Sequence, residues 1–142
     1  MNIDSIQNGI VIDHIKAGRS RQIYNLLHLD ELECSVAIIK NASSGKMGKK
    51  DIIKIDSVMD VDLDILGFVD PSATINIIRN GELVEKKRLE LPRELRGVLR
   101  CKNPRCITST ERDIVHIFKL TDPATATYRC KYCETKAERR GV

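Results

Sequence analysis

The chain has 142 residues, 42% of them hydrophobic, with 24 Lys and Arg against 20 Asp and Glu for a formal net charge of +4. That length holds one ordinary domain or two small ones, no apolar run approaches the ~18 residues of a membrane span, and so small a charge does not by itself mark a nucleic-acid binder. With three Tyr, two Phe and no Trp, the core must be built from Ile, Val and Leu. After Met1, the residues Asn2, Asp4 and Gln7 interrupt any signal-like apolar stretch, so a reducing cytoplasm with free thiols is the expected compartment.

The first expected strand is Gly9 to Ile15, apolar enough to predict burial on both faces. Ser20 is placed to cap a helix in which Ile23, Leu26 and Leu27 recur at helical spacing. A strand from Cys34 to Lys40 follows, with Cys34 expected as a lone packed thiol. The glycine-containing stretch Asn41 to Lys50 reads as a loop, and Asp51 to Ser57 alternates as a strand. A short helix is expected from Asp60 to about Leu66, ending at Gly67. Then a strand from Ala73 to Arg79 turns through Asn80-Gly81 into Glu82 to Arg88, and Asn-Gly between two strand-like runs is a strong hairpin signal.

The segment Ser44-Gly45-Lys46-Met47-Gly48-Lys49-Lys50 invites comparison with a phosphate-binding P-loop, and the comparison fails. Lys50 stands where Ser or Thr would hold magnesium, and a strand pattern follows where a helix should open. The three histidines are scattered, and no nucleophile and base pair emerges, so no catalytic residue is assigned and an enzyme is not expected. Polar groups do interrupt the strands: Asp13 and His14 in the first, Lys54 in the third, Asn76 in the fourth and Lys86 in the return strand. A lone lysine of this kind is most simply solvated, but a carboxylate in an apolar strand such as Asp13 must be paired or hydrogen-bonded.

A boundary falls near Leu91-Pro92-Arg93-Glu94, so two domains are expected, 1–91 and 92–142. The second contains Cys101 and Cys106, then Cys130 and Cys133, with a gap of 23 residues between the pairs. Paired thiolates at these spacings converge on one tetrahedral zinc, and four sulfur ligands leave no position for substrate, so the metal is structural. Arg100, Lys102, Arg105, Arg129 and Lys131 flank the ligands and offset their negative charge. The competing reading is a zinc-ribbon nucleic-acid-binding module, weakened by the few aromatic residues available for stacking.

Taken together, Gly9-Ile10-Val11-Ile12-Asp13-His14-Ile15, Ser44 through Asp51, Ile53-Lys54-Ile55, Ala73-Thr74-Ile75-Asn76, Cys101, Asn103, Cys106-Ile107 and Cys130-Lys131-Tyr132-Cys133-Glu134 resemble the aspartate carbamoyltransferase regulatory chain family over essentially the whole sequence. The resemblance implies an α+β architecture, a ferredoxin-like βαββαβ nucleotide-binding module with an added hairpin strand followed by a small all-β zinc module. It implies a non-catalytic subunit that binds CTP and ATP and tunes the committed step of pyrimidine synthesis. Asp13 and His14 would lie at the ribose and phosphates, Lys54 near the ribose and base, and Asn76 and Lys86 near the triphosphate, with backbone groups around Ile6 and Ile78 reading the base. The zinc module would dock on the catalytic chain and the nucleotide modules would pair as dimers. Neither a nucleic acid nor a membrane is an expected partner.

Overall fold

The computed structural model describes residues 6–138, which form two compact units divided between Glu90 and Leu91. The first carries β1 (Gly9–Lys16), α1 (Ser20–Leu26), a 3-10 turn (Leu29–Glu31), β2 (Val36–Ser44), β3 (Gly48–Ile55), α2 (Leu63–Val69), β4 (Thr74–Arg79) and β5 (Glu82–Arg88). The strands form one antiparallel sheet in the order β2-β3-β1-β4-β5. This is a βαββαβ unit with β5 added by the hairpin: Asn80 (φ 52°) and Gly81 (φ 76°) both take the positive φ that a two-residue turn matched to strand twist requires.

One face of this sheet is the core. Ile10, Ile12, Ile53, Ile55 and Ile75 are buried together with Ile23 of α1 and Leu66 and Phe68 of α2. Full burial of each such side chain contributes on the order of 1.5–3 kcal/mol. Because the helices cover only that face, β1 is not buried on both sides as its apolar run predicts. Val11 lies half-exposed between the buried Ile10 and Ile12, and the opposite face stays open.

Several local expectations are corrected. The stretch 41–50 is mostly strand, because β2 runs on to Ser44 and β3 begins at Gly48. Ser20 does not cap α1; the N-cap position falls on Arg19, with no side-chain cap bond. The Ser20 hydroxyl donates instead to Asp51 at 2.7 Å, and this buried carboxylate also accepts from the N–H groups of Gly18 and Asn41, each at 3.0 Å. Helix α2 is capped by Asp62, whose Oδ1 accepts from the N–H of Asp64 and Ile65. It runs through Gly67 to Val69, since Gly67 serves a close approach: a Cβ there would stand 2.1 Å from the carbonyl oxygen of Glu90. Cys34 precedes β2 and is half-exposed, not packed in the core.

The second unit pairs β6 (Glu94–Arg96), β7 (Ile117–Asp122) and β8 (Thr127–Cys130) into a three-stranded antiparallel sheet, with one helical turn, α3 (Ile107–Thr110). Leu95, Leu99, Ile117, Phe118 and Tyr128 form its small core, and the Tyr128 hydroxyl donates to the carbonyl of Pro92 at 2.7 Å.

Candidate metal centre and effector face

The sheet of the second unit carries one cysteine pair and a turn carries the other. Cys130 ends β8 opposite Phe118 of β7, and the Lys131 N–H donates to the carbonyl of Ile117, which turns the chain toward Cys133. Glu134 takes φ 63° and returns its N–H to the Cys130 carbonyl. The other pair is shaped by Asn103, whose carbonyl accepts from Cys106 N–H and whose side chain accepts from Arg105 N–H. The ligand atoms of Cys101, Cys106, Cys130 and Cys133 all lie within 4.8 Å of one another. Sγ of Cys101 is 3.5 Å from that of Cys133, and Sγ of Cys106 is 3.7 Å from that of Cys130.

The electrostatics of this cluster call for a cation. Burial, together with the neighbouring cysteines, pushes the Cys101 thiol up to about 12, and burial raises Cys130 too. Cys133 is pulled down to about 6, chiefly by the Thr135 hydroxyl 3.1 Å from its sulfur. Thr108 places a second hydroxyl 3.1 Å from Sγ of Cys106. Four sulfurs this close cannot all ionise without a positive ion among them, and a metal supplies it. The flanking Arg100, Lys102, Arg105, Arg129 and Lys131 are all exposed; Lys102 pairs with Glu138 at 2.8 Å and Arg129 donates to the Glu134 carbonyl at 3.2 Å.

In the first unit, strand register brings the scattered polar residues into rows across the open face. Lys54 pairs with Val11, Val11 with Asn76, and Asn76 with Lys86, so these four side chains stand side by side over four strands. The next row runs Asp13, Thr74, Arg88. On the other side Gly9 pairs with Ile78 and Ile78 with Leu83, an apolar row with Leu83 58% exposed. Ile6 adjoins it, its Cγ2 lying 2.7 Å from where a Gly9 Cβ would stand. The face therefore grades from apolar through cationic to mixed charge.

Asp13 has the partner that its position demands. Lys50 Nζ lies 3.0 Å from its Oδ1, which also accepts from His14 N–H at 2.6 Å. Burial alone would push this carboxyl up, but Lys50 and the His14 amide hold it below its ordinary value. His14 sits at φ 58° in the bulge between Ile12 and Ile15, its Nδ1 3.1 Å from the Thr74 hydroxyl. Among the described residues, Lys54, Lys86 and Arg88 form no ion pair. The buried Oδ1 of Asn76, between them, has no hydrogen-bond partner. Sequence patterning missed Lys50, Thr74, Arg88 and Leu83; only the register, shifted by irregularities at Ile12/Ile15, Ile39/Ala42 and Ile77/Ile78, places them on this face.

Among the described residues, no helix is long and apolar enough to cross a membrane. The family model described as the aspartate carbamoyltransferase regulatory chain, allosteric domain, matches residues 1–90, and the corresponding metal binding domain matches residues 93–142. Relatives named aspartate carbamoyltransferase regulatory chain include one from Clostridium tetani, 53% identical over 135 residues and covering 94% of each chain. One from Clostridium botulinum is 52% identical over 134 residues, covering 94% of this chain and 92% of its own. One from Bifidobacterium longum is 46% identical over 138 residues, covering 97% and 99%. With an allosteric domain, a metal-binding domain and a four-cysteine cluster where each is expected, the chain belongs to the aspartate carbamoyltransferase regulatory chain family, a non-catalytic subunit.

Proposed function

We propose that the open face of the first unit binds nucleoside triphosphates, CTP and ATP, and that the second unit holds one structural zinc ion and docks on the catalytic chain of aspartate carbamoyltransferase. Nucleotide occupancy then tunes carbamoyl aspartate formation, the committed step of pyrimidine synthesis. The observation that carries this reading is the Lys54–Val11–Asn76–Lys86 row. Lysines that have no counterion among the described residues, beside a buried amide oxygen with no partner there, form an incomplete polar site, and a polyanion bearing ribose hydroxyls completes it. Lys86 and Asn76 lie near the triphosphate, with a ribose hydroxyl donating to the Asn76 Oδ1, Asp13 and His14 lie at the ribose and phosphates, Lys54 near the ribose and base, and the backbone at Ile6 and Ile78 reads the base edge.

Zinc is supported by the sulfur spacing. A tetrahedron with Zn–S bonds of ~2.3 Å has edges of ~3.8 Å, close to the 3.5 and 3.7 Å separations of the cysteine pairs. Pairing of two regulatory chains through their nucleotide units belongs to the same reading, as does a cytoplasmic location. The zinc-ribbon alternative finds less support, since Phe118 and Tyr128 are buried and only Tyr132 in that unit offers an exposed ring.

Calorimetry of the full chain with CTP, ATP and inorganic tripolyphosphate tests the nucleotide reading, and co-purification with a transcarbamoylase chain tests the partner. Absence of nucleotide binding, with retention on nucleic acid at physiological salt, overturns it in favour of the rival.

A further inference from the structure

The apolar end of the open face finishes at the tip of the β4–β5 hairpin, where one polar side chain lies against the turn. The Gly81 N–H donates to the Gln7 carbonyl at 2.9 Å, and the Asn80 N–H donates to the Asn8 side-chain oxygen at 3.1 Å, so residues 7 and 8 are fastened to the hairpin through both turn residues. The Gln7 carboxamide rests on Gly81 itself. Its Oε1 is 2.9 Å, and its Cδ and Nε2 are 3.6 and 3.7 Å, from where a Cβ at residue 81 would stand. Gly81 therefore does two things: it supplies φ 76° for the turn, and by lacking a side chain it leaves room for this carboxamide.

We infer that Gln7, seated against Gly81, sets the base preference of the effector site; the inference rests on the nucleotide reading above. Ile78 and Leu83 share one row of the open face and Ile6 adjoins it, giving a planar ring an apolar surface to lie on. What distinguishes one base from another is the donor and acceptor pattern at its edge. An apolar surface cannot read that pattern, whereas a carboxamide presents one donor group and one acceptor in a single plane. Lys54, Asn76 and Lys86 lie in the next row and Asp13 in the one after. Asn76, Lys86 and Asp13 meet groups common to all nucleoside triphosphates and Lys54 reaches the base from the ribose side, so at the hairpin tip the Gln7 carboxamide adds a discriminating side chain to the backbone groups at Ile6 and Ile78.

The test is titration of the full chain with CTP, UTP, ATP, GTP and inorganic tripolyphosphate, before and after Gln7→Ala. The turn's bond uses the Gln7 backbone carbonyl, so this change leaves it intact. The ratio between the weakest and tightest nucleotide Kd is expected to fall at least about fivefold, the size of one lost base-edge contact. Tripolyphosphate affinity is expected to hold within about twofold. Gly81→Asn, whose side chain tolerates positive φ while displacing the carboxamide, should change the order of the four nucleotides. An unchanged ratio in Gln7→Ala, or no base preference in the unaltered chain, overturns the inference while the effector site stands. If neither nucleotides nor tripolyphosphate bind the unaltered chain, the nucleotide reading fails and the inference with it.

Discussion

Asn76 and Lys86 stand directly opposite each other across the β4–β5 pairing, and the Asn76 Oδ1 beside that lysine is buried without a hydrogen-bond partner. An unmet acceptor in a sheet is costly to the free protein, on the order of 1–3 kcal/mol, and in the proposed nucleotide complex a ribose hydroxyl supplies the missing donor.

Replacing Asn76 with Val should therefore act in opposite directions on stability and binding. The unfolding free energy of the ligand-free chain should rise by about 1 kcal/mol, while CTP affinity should fall roughly tenfold. Lys54→Ala and Lys86→Ala should each weaken CTP and ATP by a charge-assisted contact, on the order of 1.5–3 kcal/mol, without changing metal content. Denaturant titration and calorimetry read both effects. Unaltered affinity in all three variants would make this row a solvated strand face.

Asp51 organises the loops at the other end of the same sheet. It is fully buried and accepts from Gly18 N–H, Ser20 hydroxyl and Asn41 N–H, which together hold its carboxyl below its ordinary value despite the opposing effect of burial. Asp51→Ala would leave those donors unpaired and should cost about 2–4 kcal/mol. Asp13 is likewise lowered in the folded chain. Carboxyls with depressed folded pKa values add stability that is fully present above the unfolded value and disappears as pH falls through the folded ones. Stability should thus be flat from neutral pH to about pH 5 and decline below about pH 4, less steeply in Asp51→Asn. Urea unfolding across that range checks the slope.

Much of this architecture is legible in the sequence because it follows from short-range chemistry. The Asn80-Gly81 turn, the apolar spacing of Ile53 and Ile55 and the paired cysteines each carry their own signal. The misread elements are those where a distant partner overrides a local preference. Ser20 gives its hydroxyl to Asp51 and so caps nothing, and Gly67 stands inside its helix instead of ending it, glycine there because the Glu90 carbonyl leaves no room for a Cβ. The effector face lies between these cases. Asp13, Lys54, Asn76 and Lys86 stand out singly as polar interruptions, but that three of them form one row is a property of register, and three register shifts in this sheet move it out of reach of periodicity.

Gly67 offers a sharp test of packing in α2. A methyl group there would meet a backbone carbonyl at 2.1 Å, which cannot swing aside as a side chain would. Gly67→Ala should destabilise the chain by more than about 2 kcal/mol in spite of alanine's better helix propensity. Gly45→Ala, where nothing lies within 4 Å, is the control and should be close to neutral. Equal melting temperatures for the two variants would contradict the close approach.

Metal binding should be coupled to protons. Cys101, pushed up to about 12, and Cys130, also raised, hold their protons at neutral pH before metal enters, whereas Cys133, near 6, is largely thiolate. A metal bound by all four thiolates must displace those protons, so at least two should be released per ion and affinity should weaken as pH falls. Calorimetry in buffers of differing ionisation enthalpy counts them. Metal analysis should give one zinc per chain, and Cys106→Ala should abolish it while leaving nucleotide affinity within about twofold.

The last prediction concerns coupling between the two units, where a regulatory subunit must do its work. The proposed effector face belongs to the unit that ends at Glu90 and the cysteine cluster to the unit that begins at Leu91, and the chain passes from one to the other once. Allosteric control is a coupling free energy, typically ~1–3 kcal/mol, and linkage makes it reciprocal. If CTP changes the substrate affinity of the assembly by some factor, a bound substrate analogue must change CTP affinity by the same factor. Lys86→Ala should shift the CTP response to roughly tenfold higher concentration without reducing its amplitude, because it weakens binding and leaves the coupling intact. A fragment carrying only the second unit should still bind zinc and the catalytic chain but confer no nucleotide response. That fragment must begin by Leu91, since β6 starts at Glu94, the Arg93 carbonyl accepts from Leu120 N–H and the Pro92 carbonyl from the Tyr128 hydroxyl. Assays of assemblies rebuilt with this fragment, with and without CTP, decide the matter: a full nucleotide response without residues 1–90 would place the effector site elsewhere.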